Sequence, residues 1–167
     1  FVAKEFADKL EVTQATIAVI EIDPKSIVYG DNETVTVTGK INNTKYGDNY
    51  TGDITVTIEG AEATGKVNAD GTFSVAVTDK NVIGKLTVTD SKYDISAALD
   101  GDDNYKAFVA KEFADKLEVT QATISVEDVE SISIVYGAND TITVTGNIKN
   151  TAYGANYTGN VIVYIDG

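Results

Sequence analysis

The chain has 167 residues, of which 43% are hydrophobic and 23% charged, so it is long enough for one domain and apolar enough for a packed core. Its 26 acidic residues outnumber its 13 basic ones, and the net charge of −13 opposes binding to nucleic acid and to anionic lipid. The sequence has no Cys, His, Met, Trp or Arg, which excludes thiolate nucleophiles, the usual zinc and haem ligands, a Ser-His-Asp triad and arginine clamps for phosphate.

Neither a membrane span nor a secretion signal is visible in this segment. The longest aliphatic run, Ile17–Ile22, contains Glu21 and is far too short to cross a bilayer. Phe1–Glu5 lacks the basic start and the apolar stretch of a secretion signal. We therefore expect no direct membrane insertion of these residues.

Short stretches of period-two alternation predict β-strands, with β-branched or aromatic residues on one face and Thr, Ser or charge on the other. In chain order the predicted strands are Thr34–Thr38, Ile54–Ile58, Phe73–Val77, Leu86–Val88, Ile95–Leu99 and Leu117–Val119. The predicted turns between them are Tyr29–Asn32, Tyr46–Asn49, Asn68–Gly71 and Asp100–Asn104. A set of about seven short strands, of which these are six, predicts an all-β antiparallel sandwich over residues 15–119.

The alternation also predicts which side chains fill the core of that sandwich. If Thr34 and Thr36 were buried in place of their valine neighbours, the assigned register would be wrong. The residues expected to be largely buried are Val35, Val37, Val56, Ile58, Phe73, Val75, Val77, Leu86, Val88, Ile95, Leu99 and Tyr105.

The segment from Phe108 to Val119 carries two patterns. Val109, Phe113 and Leu117 lie four apart, a helical spacing, whereas the apolar residues at its two ends alternate as in a strand. The β context favours an extended strand with a bulge near Glu112 and Phe113, and a short helical turn is the alternative.

The sequence repeats itself at long range. Phe1–Ile17 recurs letter for letter as Phe108–Ile124, an offset of 107 (108 − 1), and 41 of the 60 positions aligned at that offset are identical. A period of this size is that of a whole domain and not of a solenoid unit. We therefore expect residues 1–14 to be the closing strand of a preceding repeat, 15–121 a complete repeat, and 122–167 the first part of the next.

The last segment contains only part of a repeat. Residues 122–167 have counterparts in 15–60 and none in 61–107. Half a sandwich leaves an apolar face and an open strand edge in water. We expect a longer polymer or fibre, with the chain continuing past Gly167 into a sequence close to AEATGKVNADGTFSV.

Several motifs, in this order, resemble the immunoglobulin-like tandem repeats of large bacterial and archaeal cell-surface adhesins. They are Val119–Ile124, Val135–Gly137 and Thr143–Gly146, together with Tyr93–Tyr105, which is similar to the aliphatic strand, Gly-Asp and Asn-Tyr stretch of those domains. The resemblance implies an immunoglobulin-like β-sandwich and a structural or adhesive module of an extracellular stalk or fibre. Its partners would be neighbouring repeats or identical chains. The alternative is an adhesin module that recognises a carbohydrate or protein ligand, on a host or cell surface, through its turns.

Nothing in the sequence points to catalysis. A two-carboxylate hydrolase is compatible with the residue types, yet no carboxylate is marked by its neighbours as buried, and the tandem copy favours a structural array. We expect no enzymatic activity, no catalytic residues and no cofactor other than the calcium considered next.

The segment from Asp100 to Asn104 is a calcium candidate. Asp100, Asp102 and Asn104 place oxygen atoms at every second position, as at the start of a calcium loop, but Lys111 stands where an EF-hand has its bidentate Glu. The alternative is a tight solvated turn leading to Tyr105, whose ring packs and whose hydroxyl bonds back to the turn.

A second acidic candidate, Glu127–Glu130, lies close to the start of the second copy. The aligned stretch of the first copy, around Glu21 and Asp23, is less acidic, which weakens the idea of a metal at every junction. A solvated acidic face is the favoured interpretation.

Five Asn-x-Thr sequons lie in or beside predicted turns, where a glycan acceptor would be exposed. A glycosylating host would use them, whereas chance explains several in a chain so rich in Asn and Thr. The candidates are Asn32, Asn42, Asn49, Asn139 and Asn156.

Two aromatic residues flank one turn in each copy, Tyr46 and Tyr50 in the first and Tyr153 and Tyr157 in the second. Such a pair is a candidate platform for stacking a carbohydrate. The favoured alternative is that one Tyr caps the core and the other lies on the surface.

Overall fold

The computed structural model describes residues 3–4, 8–138 and 141–165. Within these ranges the chain is all-β, with one 3₁₀ turn at Ile83–Lys85 and no helix that could span a membrane. The strands are β1 (Ala15–Thr16), β2 (Ala18–Ile22), β3 (Lys25–Val28), β4 (Thr34–Asn42), β5 (Asp53–Ile58), β6 (Ala61–Lys66), β7 (Thr72–Thr78), β8 (Tyr93–Leu99), β9 (Tyr105–Lys106), β10 (Phe108–Thr120), β11 (Ser125–Glu127) and β12 (Asn147–Lys149). The predicted all-β class is confirmed.

Two sheets enclose one core. The smaller sheet has the order β2-β4-β7 and the larger has the order β3-β10-β8-β5-β6. The chain changes sheets between β2 and β3 at Asp23–Pro24, where proline has no backbone N–H to continue the first ladder. As a consequence β3 pairs with β10 in parallel, as β1 does with β9, so the sandwich is not antiparallel throughout.

The predicted register of the central strand β4 is confirmed. Val35 pairs with Val77 and Val37 with Val75, and all four side chains are buried, whereas Thr36 is exposed. Of the twelve residues predicted to be buried, eleven are buried, and Val88 is not. The side chains of both sheets meet in one continuous apolar cluster.

The predicted strand Leu86–Val88 is wrong. Leu86 is buried after the 3₁₀ turn, but the chain then leaves the sheets, and Val88 is 43% exposed. The backbone of Thr87 is bonded by a side chain, because its N–H donates to Tyr93 Oη over 3.1 Å and its carbonyl accepts from the same hydroxyl over 2.9 Å. Without a strand partner, alternation in sequence does not place alternate side chains on opposite faces of a sheet.

The segment with two patterns forms one long strand, β10, so the favoured interpretation of Phe108–Val119 is confirmed. The strand is irregular close to the predicted position of its bulge, although Lys111, Glu112 and Phe113 themselves pair regularly with β8. The register shifts lie on either side of these residues, and in the second one Asp115 has φ +56°. The N–H of Asp115 donates to Asp94 Oδ1 over 2.8 Å, which holds this irregular turn of the backbone.

The second copy is much less buried than the first. Of its described residues only β11 and β12 form a ladder. Ile165 is 61% exposed, whereas its counterpart Ile58 is fully buried, and Val163 is 53% exposed against 0% for Val56. Both Ile165 and Val163 are therefore exposed counterparts of core residues.

Candidate functional site

The Asp100–Asn104 segment is a turn closed by one carboxylate. Asp102 Oδ1 accepts the N–H of Asn104 over 2.7 Å and that of Tyr105 over 2.8 Å, and the N–H of Asp102 donates to the carbonyl of Tyr105. Gly101 has φ +79°, and a Cβ there would lie 2.5 Å from the backbone nitrogen of Ala107, so the turn requires glycine.

The side chains present do not by themselves form a calcium-binding set. Asp100, Asp102 and Asn104 are all exposed, and one carboxylate oxygen of Asp102 is committed to backbone amides. In the part of the chain that the structure describes, no three acidic side chains converge on one point. Calcium binding at this turn stays a prediction, and its test is given below.

Tyr105 joins two turns at one end of the sandwich. Its ring is buried and meets Tyr50 edge-on, with ring centroids 5.9 Å apart and planes at 75°. Its hydroxyl donates to the carbonyl of Asp48 over 2.5 Å and lies 2.9 Å from Thr44 Oγ1. The prediction that this hydroxyl bonds back to its own turn is wrong, because the ring points into the core and its far end emerges at the 44–48 loop.

Tyr46 and Tyr50 do not form one platform for stacking a carbohydrate. Tyr50 is fully buried, its hydroxyl donates to the carbonyl of Asp53 over 2.8 Å, and burial raises the pKa of its phenol. Tyr46 is 90% exposed, with Lys45 Nζ 5.1 Å from its ring centroid. One ring caps the core and the other lies on the surface, as the alternative interpretation predicts.

The acidic segment Glu127–Glu130 directs its carboxylates to separate partners. Glu127 Oε1 lies 3.9 Å from Lys149 Nζ, and Glu130 accepts a hydrogen bond from the Thr145 hydroxyl. All four residues of the segment are exposed. This arrangement is that of a solvated acidic face.

Four of the five sequon asparagines, Asn32, Asn42, Asn49 and Asn156, are exposed, and Asn139 lies outside the described residues. Two of the four also hold the backbone, since Asn42 Oδ1 accepts the N–H of Ala18 and Asn49 Nδ2 donates to the carbonyl of Ala69. Exposure is a necessary condition for glycosylation, which stays a prediction.

A carboxyl pair that the sequence does not indicate lies between β8 and β10. The carboxyl groups of Asp94 and Glu112 share a hydrogen bond, which lowers the pKa of Asp94 and raises the pKa of Glu112. The N–H of Asp115 also stabilises the Asp94 carboxylate and lowers its pKa further. The pairing depends on the register of β8 against β10, in which Glu112 lies opposite Ser96, and no local sequence signal indicates it.

The first copy ends in a bonded junction. β10 ends at Thr120, whose carbonyl accepts the N–H of Tyr29 over 2.9 Å and whose hydroxyl donates to the carbonyl of Ile27 over 3.2 Å. Only residues 121–124 separate this strand from β11. The connection between the copies is therefore short, and its near end is held to the first sandwich.

A loop of the second copy also touches the first copy directly. The N–H of Tyr153 donates to the carbonyl of Gly30 over 2.8 Å, and the N–H of Ala155 donates to Tyr29 Oη over 2.9 Å. The sequence does not predict this long-range contact either, since no property of the loop sequence alone indicates what it packs against.

No protein-family model matches the sequence, and no curated protein matches it at a significant level. Among solved structures, the chain is similar to part of a 1.5-MDa bacterial ice-binding adhesin studied for host cell surface retention, with 23% identity and a TM-score of 0.46 over 83% of this chain and 45% of that one. It is also similar to a Ca²⁺-stabilized adhesin with which an Antarctic bacterium binds ice, with 24% identity and a TM-score of 0.38 over 72% of this chain and 28% of that one. A bacterial immunoglobulin-like domain from the M. primoryensis ice-binding adhesin gives 23% identity and a TM-score of 0.35 over 65% of this chain and 98% of that one. The chain spans less than half the length of the first two structures.

Proposed function

We propose that this chain is a structural and adhesive repeat module of an extracellular cell-surface protein, in which 107-residue sandwiches follow one another as a stalk or fibre. The observation that carries the proposal is the repeat itself: 41 of 60 aligned positions are identical, and the second copy begins directly after β10. A catalytic role has no such support, and we infer none.

The junction and the charge both suit a stalk. A junction of few residues, bonded to the preceding sandwich through Thr120, transmits the direction of one copy to the next. A net charge of −13 keeps neighbouring rods apart and soluble. The absence of cysteine leaves nothing that could mispair during passage to an oxidising exterior.

Small-angle X-ray scattering on chains of increasing length tests the proposal. One, two or three further copies of residues 15–121 would be inserted after Gln121, which preserves the 107-residue period. We expect the maximum dimension to increase by the same amount with each copy. A dimension that grows only as slowly as that of a compact globule would contradict the stalk.

The alternative role, recognition of a glycan or protein ligand through the turns, rests on the exposed ring of Tyr46 beside Lys45. A glycan array probed with the 167-residue chain separates the two roles. A stalk gives no saturable binding, whereas saturable binding that disappears in Tyr46→Ala would favour the ligand-binding role.

A further inference from the structure

The contact between the two copies is built for close approach. We call residues 151–155 the docking loop, and Tyr29, Gly30 and Gly84 the docking surface. A Cβ at Gly84 would lie 2.6 Å from the Cβ of Tyr153, and a Cβ at Gly154 would lie 2.7 Å from Cε1 of Tyr29. A side chain at either glycine would therefore meet the other copy directly, and the facing residue would have to shift to make room for it.

Gly30 serves the same contact in another way. It has φ +67°, a conformation that favours glycine, and a Cβ there would lie 2.7 Å from the backbone nitrogen of Gly154. Its carbonyl also accepts the N–H of Tyr153. Two copies thus meet backbone to backbone through glycine.

The docking loop and the Tyr-Gly part of the docking surface both occur a second time in the chain, and there they are exposed. The first copy has its own docking loop, in which Tyr46 and Gly47 are the counterparts of Tyr153 and Gly154, and Tyr46 is 90% exposed whereas Tyr153 is half-buried. Nothing described in the structure covers the Tyr46 ring except Lys45.

The second copy likewise repeats the Tyr-Gly part of the docking surface, because Tyr136 and Gly137 are identical in residue type to Tyr29 and Gly30. Tyr136 is fully exposed, and no described atom lies within 4 Å of a Cβ built at Gly137. The chain therefore presents one occupied contact, one unoccupied docking loop and the unoccupied Tyr-Gly part of a docking surface.

We propose that the Tyr46 loop of each copy docks onto the Tyr29, Gly30 and Gly84 surface of the copy before it, so that the same interface forms at every junction and fixes the angle between successive copies. This inference rests on the proposed role of the chain as a series of repeats. Its partner is a second copy of this sequence, and its contacts are those that Tyr153 and Ala155 make here.

The sequence differences between the two loops are compatible with docking. Lys45 and Asp48 of the first loop correspond to Ala152 and Ala155 of the second, and both alanines are exposed in the docked loop. Charged side chains at these two positions would point to water and leave the contact with Tyr29 unobstructed.

Disulfide trapping in the cysteine-free chain tests the occupied contact first. In the 167-residue chain, the variant Gly84→Cys with Tyr153→Cys should lose both thiols on mild oxidation and stay monomeric. The two Cβ positions face each other across the contact, and a shift of about 1 Å takes them from 2.6 Å to the roughly 3.5–4.5 Å of a disulfide. The matched control, Gly84→Cys with Tyr46→Cys, should keep both thiols in the monomer. Gly84 lies beside Asn32, at one end of the nine-residue strand β4, and the Tyr46 loop begins at Thr44, at the other end of that strand. The two cysteines are therefore at opposite ends of the sandwich, about 30 Å apart.

A longer chain tests the repeated contact. Placing residues 15–107 before Phe1 completes one copy ahead of the first, because Phe1–Gln14 supplies the counterpart of 108–121. With Gly84→Cys in the added copy and Tyr46→Cys in the copy that follows it, oxidation should consume both thiols at the rate seen for the Gly84–Tyr153 pair.

Two results would overturn the inference: free thiols in the Gly84–Tyr153 pair, or free thiols in the pair of the longer chain. We do not expect Gly84→Cys to misfold its own copy, because a Cβ at Gly84 comes no closer to that copy than 3.7 Å, at the carbonyl oxygen of Asn32. An unchanged melting temperature checks this. If crosslinking fails while the scattering dimension still grows linearly with copy number, the interface is wrong and the stalk stands. If the dimension fails to grow linearly, the stalk itself is wrong.

Discussion

Tyr50 is fully buried, whereas Tyr157, its counterpart 107 residues later, is 42% exposed. The local hydrogen bonds are the same: the N–H of each tyrosine donates to an Asn side chain seven residues earlier, and each hydroxyl donates to the carbonyl three residues later. The loop conformation is thus set locally, and the burial is set by what packs over it. Matched substitutions in the two copies can separate these contributions.

Truncation of a core isoleucine should depend on the copy in which it is made. Ile58→Ala removes a fully buried side chain, and we expect it to lower the free energy of unfolding by about 2–5 kcal/mol. Ile165→Ala removes a side chain that is 61% exposed and should change it by less than about 0.5 kcal/mol. Urea unfolding of the 167-residue chain measures both, and equal losses would show that the second copy is packed like the first.

Removing the hydroxyl of Tyr50 isolates one hydrogen bond. Tyr50→Phe leaves the carbonyl of Asp53 with only the longer bond of 3.3 Å from the N–H of Asp100, and we expect a loss of about 1 kcal/mol in unfolding free energy. The matched variant Tyr157→Phe loses a longer, solvent-exposed bond of 3.2 Å to Asn160 and should be close to neutral. A neutral Tyr50→Phe would mean that water replaces the hydroxyl at Asp53.

The turn at Asp100–Asn104 should be stabilised by Asp102 without calcium. Asp102→Ala removes the acceptor of two backbone N–H groups, and we expect a loss of about 1–2 kcal/mol. We expect the same loss with added calcium and with EDTA, and an EDTA melting curve for the parent chain identical to the untreated one. A melting temperature that falls by several degrees in EDTA would instead establish a calcium site at Asp100, Asp102 and Asn104, as mass action requires.

The Asp94–Glu112 pair should make stability depend on pH. The raised pKa of Glu112 means that the folded state binds this proton more tightly than the unfolded chain does. Its contribution to stability is present below the ordinary pKa of glutamate and is lost as the pH rises through the raised value. The lowered pKa of Asp94 acts in the opposite sense, and its contribution is lost only as the pH falls through that lowered value.

Glu112→Gln should therefore raise the melting temperature at neutral pH, because the amide keeps a donor for Asp94 and removes a like charge. The difference from the parent should shrink as the pH falls through the raised pKa of Glu112 and be smallest below about 4, where Glu112 is protonated in both folded and unfolded states. Glu62→Gln, on the edge strand β6 away from this pair, is the control. A difference between Glu112→Gln and the parent that does not vary with pH would contradict the shared proton.

Strict alternation identified the strands that lie inside the sheets. The predicted segments 34–38, 54–58, 73–77 and 95–99 all fall within observed strands, because one face of each is buried in the core and the other is not. The edge strand β6 was missed because its sequence, AEATGK, has weak β propensity. The sequence does contain a turn signal before β6, namely Gly60 after Glu59. Both residues have positive φ in the structure, as a tight hairpin requires.

The contacts around Tyr29 could not be predicted from the sequence. The bond from Ala155 to Tyr29 Oη spans 126 positions, and it depends on the path of the junction as well as on three glycines that leave room for it. The repeat indicated that copies follow one another, but an alignment of two copies contains no information on how they pack.

A stalk of successive sandwiches requires the 107-residue repeat to be one folding unit, and completing the second copy tests this most directly. Residues 61–121 would be appended after Gly167, which supplies the counterparts of β6, β7, β8 and β10. Two variants of this longer chain would each keep a single tyrosine, Tyr157 or Tyr50, with all other tyrosines replaced by Phe, and urea unfolding would be followed by the absorbance of that tyrosine. We expect Tyr157 to be buried in the folded state and to report a cooperative transition like that of Tyr50. If Tyr157 stayed exposed and gave no cooperative transition while the first copy unfolded normally, the 107-residue repeat would not be a folding unit.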